Sequence, residues 1–493
     1  MELDEEMKEY KTIAKQIGGS YIIQIVSIMI SFFYFSVVTR FLSVEEYGIL
    51  SLILTVIVIL TGINSFGIIE YLVKEFAGKT LEYKRKLIKT FVPFTTYLGI
   101  FLILIVGLFL KNFLKLFSLE QYYSYFLAGL IICILKILSR PILGILSSEK
   151  KIITNRIMTM VIENLWMLIV IIMGFVFSKL NLNIIINTQL ITIGIVTLIG
   201  GLWFLIIYKI NYFAINKLNK NKIKSMFKFT LPLIPLVIAQ WLITTADRFI
   251  IKYYHTAGDV GNYTYVYSML SFAFLFVSLI ILVIYPYLAE AFNKKNIQKY
   301  NFMFNTGIKY SYMLLLPLLF GFLALSKEFI TLISGNQFLI SVPLIPILLF
   351  FPVFQLANAH LQRVLILNNK TKEIFWIYTT GVIINLVLNF ILIPKYIIKG
   401  AAIATIISYI IMTIGFYYFA RKDFKWNFKL IQPLKILLSV IIMYFAINFI
   451  EPKIWIFKIL IIMLGGIIYI SLLIVLKVFN KSEINFIKKL IKR

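Results

Sequence analysis

The chain has 493 residues, of which 61% are hydrophobic and 14% charged, with a formal net charge of +28. A water-soluble globule of this length keeps a largely charged exterior, so the composition excludes one and leaves an all-α integral membrane protein. The positive charge does not make a nucleic-acid binder, because no basic patch has a folded domain to present it. The single Cys133, with only His255 and His360, excludes a disulfide framework and most metal chemistry, and no cofactor is expected.

The start of the chain, Met1 to Gln16, is acidic and polar and lacks the basic region of a secretory leader. Beyond it, runs of ~20 apolar residues recur, each long enough to cross a ~30 Å hydrocarbon core. They must be helices, since lipid offers no partner to an unpaired backbone group, and weak alternation argues against a barrel. The first six spans are predicted at 17–39, 48–73, 88–110, 122–147, 153–177 and 184–208. Six more follow at 229–252, 261–287, 308–326, 338–360, 375–394 and 400–420, then a pair at 432–450 and 454–476. That makes about fourteen transmembrane helices. Lys and Arg cluster in every second connection, from Lys8, Lys11 and Lys15 through Lys84, Arg85 and Lys86 to the basic tail. The alternation fits the positive-inside bias and predicts a multi-pass protein of the cell membrane with both termini cytoplasmic. All connections are short, which leaves no room for an ATPase or a catalytic globule, so no enzyme is expected.

The pattern repeats. Arg40-Phe41-Leu42 leads to Glu46-Tyr47-Gly48 and opens the second span; Asp247-Arg248-Phe249 leads to Asp259-Val260-Gly261 and opens the eighth. The expected organisation is a cytoplasmic N-terminus (1–16), an N-lobe of six spans (17–210), a basic cytoplasmic linker (211–228), a C-lobe of six spans (229–420), and a terminal helix pair with a basic tail (421–493). Both lobes start inside, so they are parallel repeats, the plan of carriers that bind cargo between lobes and alternate access.

Ionisable residues at bilayer depth are costly and are candidate functional groups. Lys136 and Arg140 lie four apart on one face of the fourth span. Lys136 falls ~21 Å from the outer end at 1.5 Å per residue. It either lines a cavity or snorkels or pairs structurally, and for Arg140 the choice is between the cavity and the cytoplasmic surface. Glu163, ~15 Å from the inner end of the fifth span, is either a proton or cation coupling site or the salt-bridge partner of Lys136. Asp247 and Arg248 stand near the outer end of the seventh span, where adjacent positions do not share a face. Either one lines the cavity while the other ties down the outer loop, or both cap or meet headgroups. Arg40 is their loose counterpart in the first lobe, and Gln240 lies at mid-depth on the same helix as Asp247. Pro232 and Pro235 are expected to kink that helix. Basic residues outnumber buried acids, which points to an anionic cargo.

Further residues carry a family resemblance. Besides the repeated stretches, Leu231-Pro232, Val260-Gly261-Asn262-Tyr263, Asn385-Leu386-Val387-Leu388-Asn389, Pro394 and Gly400-Ala401-Ala402-Ile403-Ala404-Thr405 stand in order along the chain. Together they resemble the polysaccharide-export branch of the multidrug/oligosaccharidyl-lipid/polysaccharide transporter superfamily. The resemblance implies a two-lobed bundle that flips a polyprenyl-pyrophosphate-linked oligosaccharide from the inner to the outer leaflet for cell-surface polysaccharide synthesis. Its expected partners are that substrate, membrane lipids, Na+ or H+ as coupling ion, and polysaccharide assembly machinery. The alternatives are a cation-coupled multidrug exporter of the same superfamily and a membrane glycan polymerase or ligase.

Overall fold

The computed structural model describes residues 2–65, 71, 75–76, 79–149, 151–208, 220–231, 234–423, 431–448 and 455–479. Every regular element among them is a helix. In chain order the α-helices of nine residues or more are α1 (Glu2–Phe41), α2 (Val44–Ser65), α3 (Leu81–Leu116), α4 (Tyr123–Ser148), α5 (Ile152–Phe177), α6 (Leu182–Tyr208), α7 (Lys220–Thr230), α8 (Ile234–Tyr254) and α9 (Ala257–Asn293). There follow α10 (Ile297–Ala324), α11 (Ser326–Ser334), α12 (Phe350–Leu367), α13 (Thr371–Ala420), α14 (Ile431–Asn448) and α15 (Trp455–Val475).

Ten of the described helices are long and apolar enough to cross a membrane, or eleven if Asn336–Leu348 and Phe350–Leu367, bent by 47°, form one span. The expected fourteen are not reproduced by that count. The last two expected spans fall on α14 and α15, whose stretches Gln432–Asn448 and Leu460–Val475 enter that count only as shorter apolar helices. The other difference lies in α13, which enters once although two spans were expected in it. A straight 50-residue helix is ~75 Å long, yet Lys370 Nζ at the start of α13 lies 3.1 Å from the Phe419 carbonyl at its end. The helix therefore doubles back, and the fold falls at Ile397 (φ 52°, ψ −129°). The carbonyl of Ile393, whose helical partner would be the N–H of that broken residue, instead accepts a hydrogen bond from His255 Nε2 at 2.9 Å.

The chain divides into two compact units, one of residues 1–264 with 389–398, the other of 265–388 with 399–493. In the first, α1 packs on α5, α4 on α6, and α2 and α3 on α4. In the second, α14 packs on α10 and α15, and α10 on α12. The outer face of α6 carries exposed Ile191, Leu198, Leu202 and Ile206, apolar side chains that lipid solvates at no cost. Pro235 is the second described residue of α8, and the kink expected at Pro232 and Pro235 falls where residues 232–233 lie outside the described ones. Pro232, residues 211–219 of the basic linker and 480–493 of the tail lie outside the described residues. The rest of the linker begins α7, whose Met226 is buried among Tyr71, Phe76 and Phe91.

The two matching stretches start their helices in the same way. Before α2, the Ser43 N–H donates to Glu46 Oε2 (3.0 Å) and the Glu46 N–H returns to Ser43 Oγ (3.2 Å). Before α9, the Thr256 N–H donates to Asp259 Oδ2 (3.2 Å) and the Asp259 N–H to Thr256 Oγ1 (3.1 Å). Each is a reciprocal capping box that satisfies two orphan donors. Two residues past each acid stands a glycine, and the two helix starts meet there. A β-carbon on Gly48 would fall 1.9 Å from the Ala257 carbonyl oxygen, and one on Gly261 2.1 Å from that of Val44. Only glycine allows backbones to approach this closely.

Candidate functional site

The expected site residues fall into two groups. The first sits on α4 and α5. Their antiparallel packing across a short connection sets Lys136 and Glu163 side by side, with Nζ 2.5 Å from Oε2. Lys136 is buried, whereas the Glu163 side chain is 38% exposed. Of the two readings open for Glu163, the ion pair is present in the structure. Arg140, one turn beyond Lys136, is half-buried, and among the described residues no carboxylate pairs with it. Beside Glu163, the buried Asn164 donates through Nδ2 to Ser31 Oγ on α1 at 3.1 Å, extending the polar layer across three helices. Sequence reasoning passed over Asn164 and Ser31; the signal available was a second polar side chain next to a buried acid in an apolar run.

The second group is built on α8. Asp247 is 1% exposed and accepts hydrogen bonds from the Tyr263 hydroxyl and, at 2.9 Å, from the Arg248 N–H. Arg248 points elsewhere, its Nη1 donating to the buried Thr55 Oγ1 on α2 at 3.0 Å. Adjacent helical positions diverge by about 100°, and here that separation sends the acid toward α9 and the base toward α2. Gln240, two turns earlier on α8, is half-buried, and its carbonyl accepts from the Thr244 hydroxyl at 3.1 Å. Arg40 is exposed in the last turn of α1, where a cation complements the helix dipole. Thr55 went unnoticed in the sequence, and Tyr263 stood out only within a family stretch, because nothing local ties either to α8.

Chemically, the first group is an ion pair without net charge. Arg140, on the same face, adds a cation one turn away. The second group instead locks its acid, since a carboxylate this deeply buried and twice hydrogen-bonded is committed to the protein.

Residues 13–292 match the family model described as polysaccharide biosynthesis protein, and residues 232–391 match the model MatE. The chain is 28% identical over 168 residues to the probable low-salt glycan biosynthesis flippase Agl15 of Haloferax volcanii, a match covering 34% of this chain. It spans only 36% of that relative's length. Among solved structures, the lipid II flippase MurJ in an inward closed conformation superposes with a TM-score of 0.75 at 19% identity, covering 92% of this chain and 97% of that one. An inward-facing multidrug resistance MATE family transporter of the MOP superfamily gives 0.63 at 13% identity, covering 81% and 97% respectively. At such identities the likeness is one of fold.

Proposed function

This chain belongs to the polysaccharide biosynthesis protein family, and from that premise we propose that it is a flippase for a polyprenyl-pyrophosphate-linked oligosaccharide. The single observation that carries the reading is the placement of Lys136 and Arg140 on one face of a membrane-spanning helix, within a chain of that family. Glu163 neutralises only one of the two cations, and a second at that depth is costly unless an anion uses it. The pyrophosphate takes the place of the Glu163 carboxylate on Lys136, Arg140 adds a second contact, and the polyprenyl tail stays in lipid. Alternating access then exposes the headgroup to the outer leaflet of the cell membrane, with both termini cytoplasmic.

Glu163 supplies the coupling. Displaced from Lys136, it takes up a proton or another cation, and it gives that ion back when the pair reforms. Voltage contributes as well: with the interior negative, carrying one negative charge outward gains ~2.3 kcal/mol per 100 mV. On this reading the protein forms and breaks no covalent bond, and it hands its product to a polysaccharide assembly machinery.

The decisive measurement is leaflet translocation of a lipid-linked oligosaccharide in vesicles, comparing wild type with Lys136→Gln and Arg140→Gln. Loss of flipping in both is expected. Full activity in both removes the cationic site.

A second reading is a cation-coupled multidrug exporter, favoured by the match of residues 232–391 to the MatE model. It predicts that the same vesicles expel a lipophilic cation against a proton or sodium gradient. The flippase reading predicts no such efflux.

A further inference from the structure

A second site lies in the unit of residues 265–388 and 399–493, whereas the charged groups described above belong to the other unit. The turn between α9 and α10 and the end of α13 enclose a cavity of about 790 Å³, lined by Phe292, Lys295, Tyr300, Arg421 and Lys422 among others. Its charge is one-sided. Lys295, Arg421 and Lys422 are exposed cations, while the acid lining the cavity, Asp423, is already held by Lys370 at 2.6 Å. The first turn of α10 opens at the cavity, with its cap Asn296 accepting from the Lys299 N–H, so the positive end of a 28-residue helix adds to the field.

A further feature lies within. Tyr300 is 4% exposed and lines the cavity, yet its hydroxyl has no hydrogen-bond partner among the described residues. A buried hydroxyl without a partner is costly, and a phosphate oxygen would satisfy it.

The surroundings separate a lipid from a soluble anion. Ile297 at the mouth is 67% exposed, and the turns just before the cations carry the exposed aromatics Tyr417, Tyr418 and Phe419. Aromatic rings of this kind gather at the level of lipid headgroups. The cavity is also far larger than inorganic phosphate requires, and its walls at Ala291, Phe292 and Ile297 are apolar. Basic pockets between transmembrane helices on the cytoplasmic side are suited to anionic headgroups, and the charge pattern of the sequence places this end of the helices on that side.

The geometry points to a binding site for an anionic glycerophospholipid, its phosphate held by Lys295, Arg421, Lys422 and the Tyr300 hydroxyl and its acyl chains lying along α9 and α13. The lipid would be a resident ligand of the inner leaflet rather than the cargo.

The test reads the unfolding temperature of the full chain in detergent on adding phosphatidylglycerol, phosphatidylcholine or inorganic phosphate. A ligand that binds only the folded state raises that temperature. Phosphatidylglycerol should raise it and the other two should not, and the variant Lys295→Gln/Arg421→Gln/Lys422→Gln should lose most of the rise. A rise retained by the variant, or matched by phosphatidylcholine or by phosphate, overturns the proposal. A photo-activatable phosphatidylglycerol on the unaltered chain makes the test independent of the variant's folding. Cross-links should map to residues 291–301 and 421–423, and their absence there overturns the site.

Discussion

A hydrogen bond of 3.4 Å joins the side chains of Ser51 and Thr264, which stand 213 positions apart and three residues past the matching glycines Gly48 and Gly261. Caps, glycines and hydroxyls thus recur at one offset, and the two stretches meet each other through their own equivalent residues. A pseudo-twofold contact of this kind follows from a repeated sequence, because each copy presents the surface that the other needs.

Gly48→Ala and Gly261→Ala should each destabilise the protein by about 1–3 kcal/mol, as overpacking of a closed contact does. The cause is backbone against a new methyl, which no rotamer change relieves. The double variant should cost less than the sum of the two, since either methyl already forces the helix starts apart. Unfolding midpoints of the two single variants and the double variant measure both effects; strict additivity would show that the two glycines do not share one contact.

Lys136→Met strands the Glu163 carboxylate. Removing one partner of a fully buried pair costs about 3–5 kcal/mol, and the exposure of Glu163 lowers the expected loss to about 1–3 kcal/mol. Adding Glu163→Gln should recover most of the stability without recovering translocation. Parallel melting and flipping assays separate the two roles; flipping restored along with stability would make the pair purely structural.

Asp247→Ala leaves the Tyr263 hydroxyl without its acceptor in a fully buried place, at a cost of about 1–3 kcal/mol. Asp247→Asn keeps an acceptor and should lose less. The order of the two melting temperatures is the check, and Tyr263→Phe in the Asp247→Ala background should add little.

Ile397→Gly should raise stability by about 1 kcal/mol, because a β-branched residue at φ 52° carries a backbone cost that glycine lacks. The fold of α13 places the strain at this residue. A fall in the midpoint would mean that the Ile397 side chain contributes more in contacts than its backbone loses.

His255→Ala removes the donor to the Ile393 carbonyl and should cost about 1 kcal/mol. Hydrogen exchange at the amides around 393–400 gives a local readout, with faster exchange expected there.

The sequence alone determined the class and most element positions. Helices in lipid are dictated by backbone pairing and by the length of apolar runs, so composition and spacing are enough to place them. The repeat was equally legible, because Glu46-Tyr47-Gly48 and Asp259-Val260-Gly261 are local signals. The candidate site was legible only as a set of residue types: Lys136 and Arg140 stand out in any apolar run. What each residue touches was decided by tertiary structure. Whether Glu163 pairs with Lys136, whether Asp247 faces Tyr263 or open space, and whether α13 turns at Pro394 or at Ile397 depend on helix rotation and approach. These are set by packing among many side chains of similar hydrophobicity, and local sequence does not encode them. The cavity at the end of α13 was invisible for the same reason: its cations come from connections more than a hundred residues apart, and only the folded chain brings them to one place.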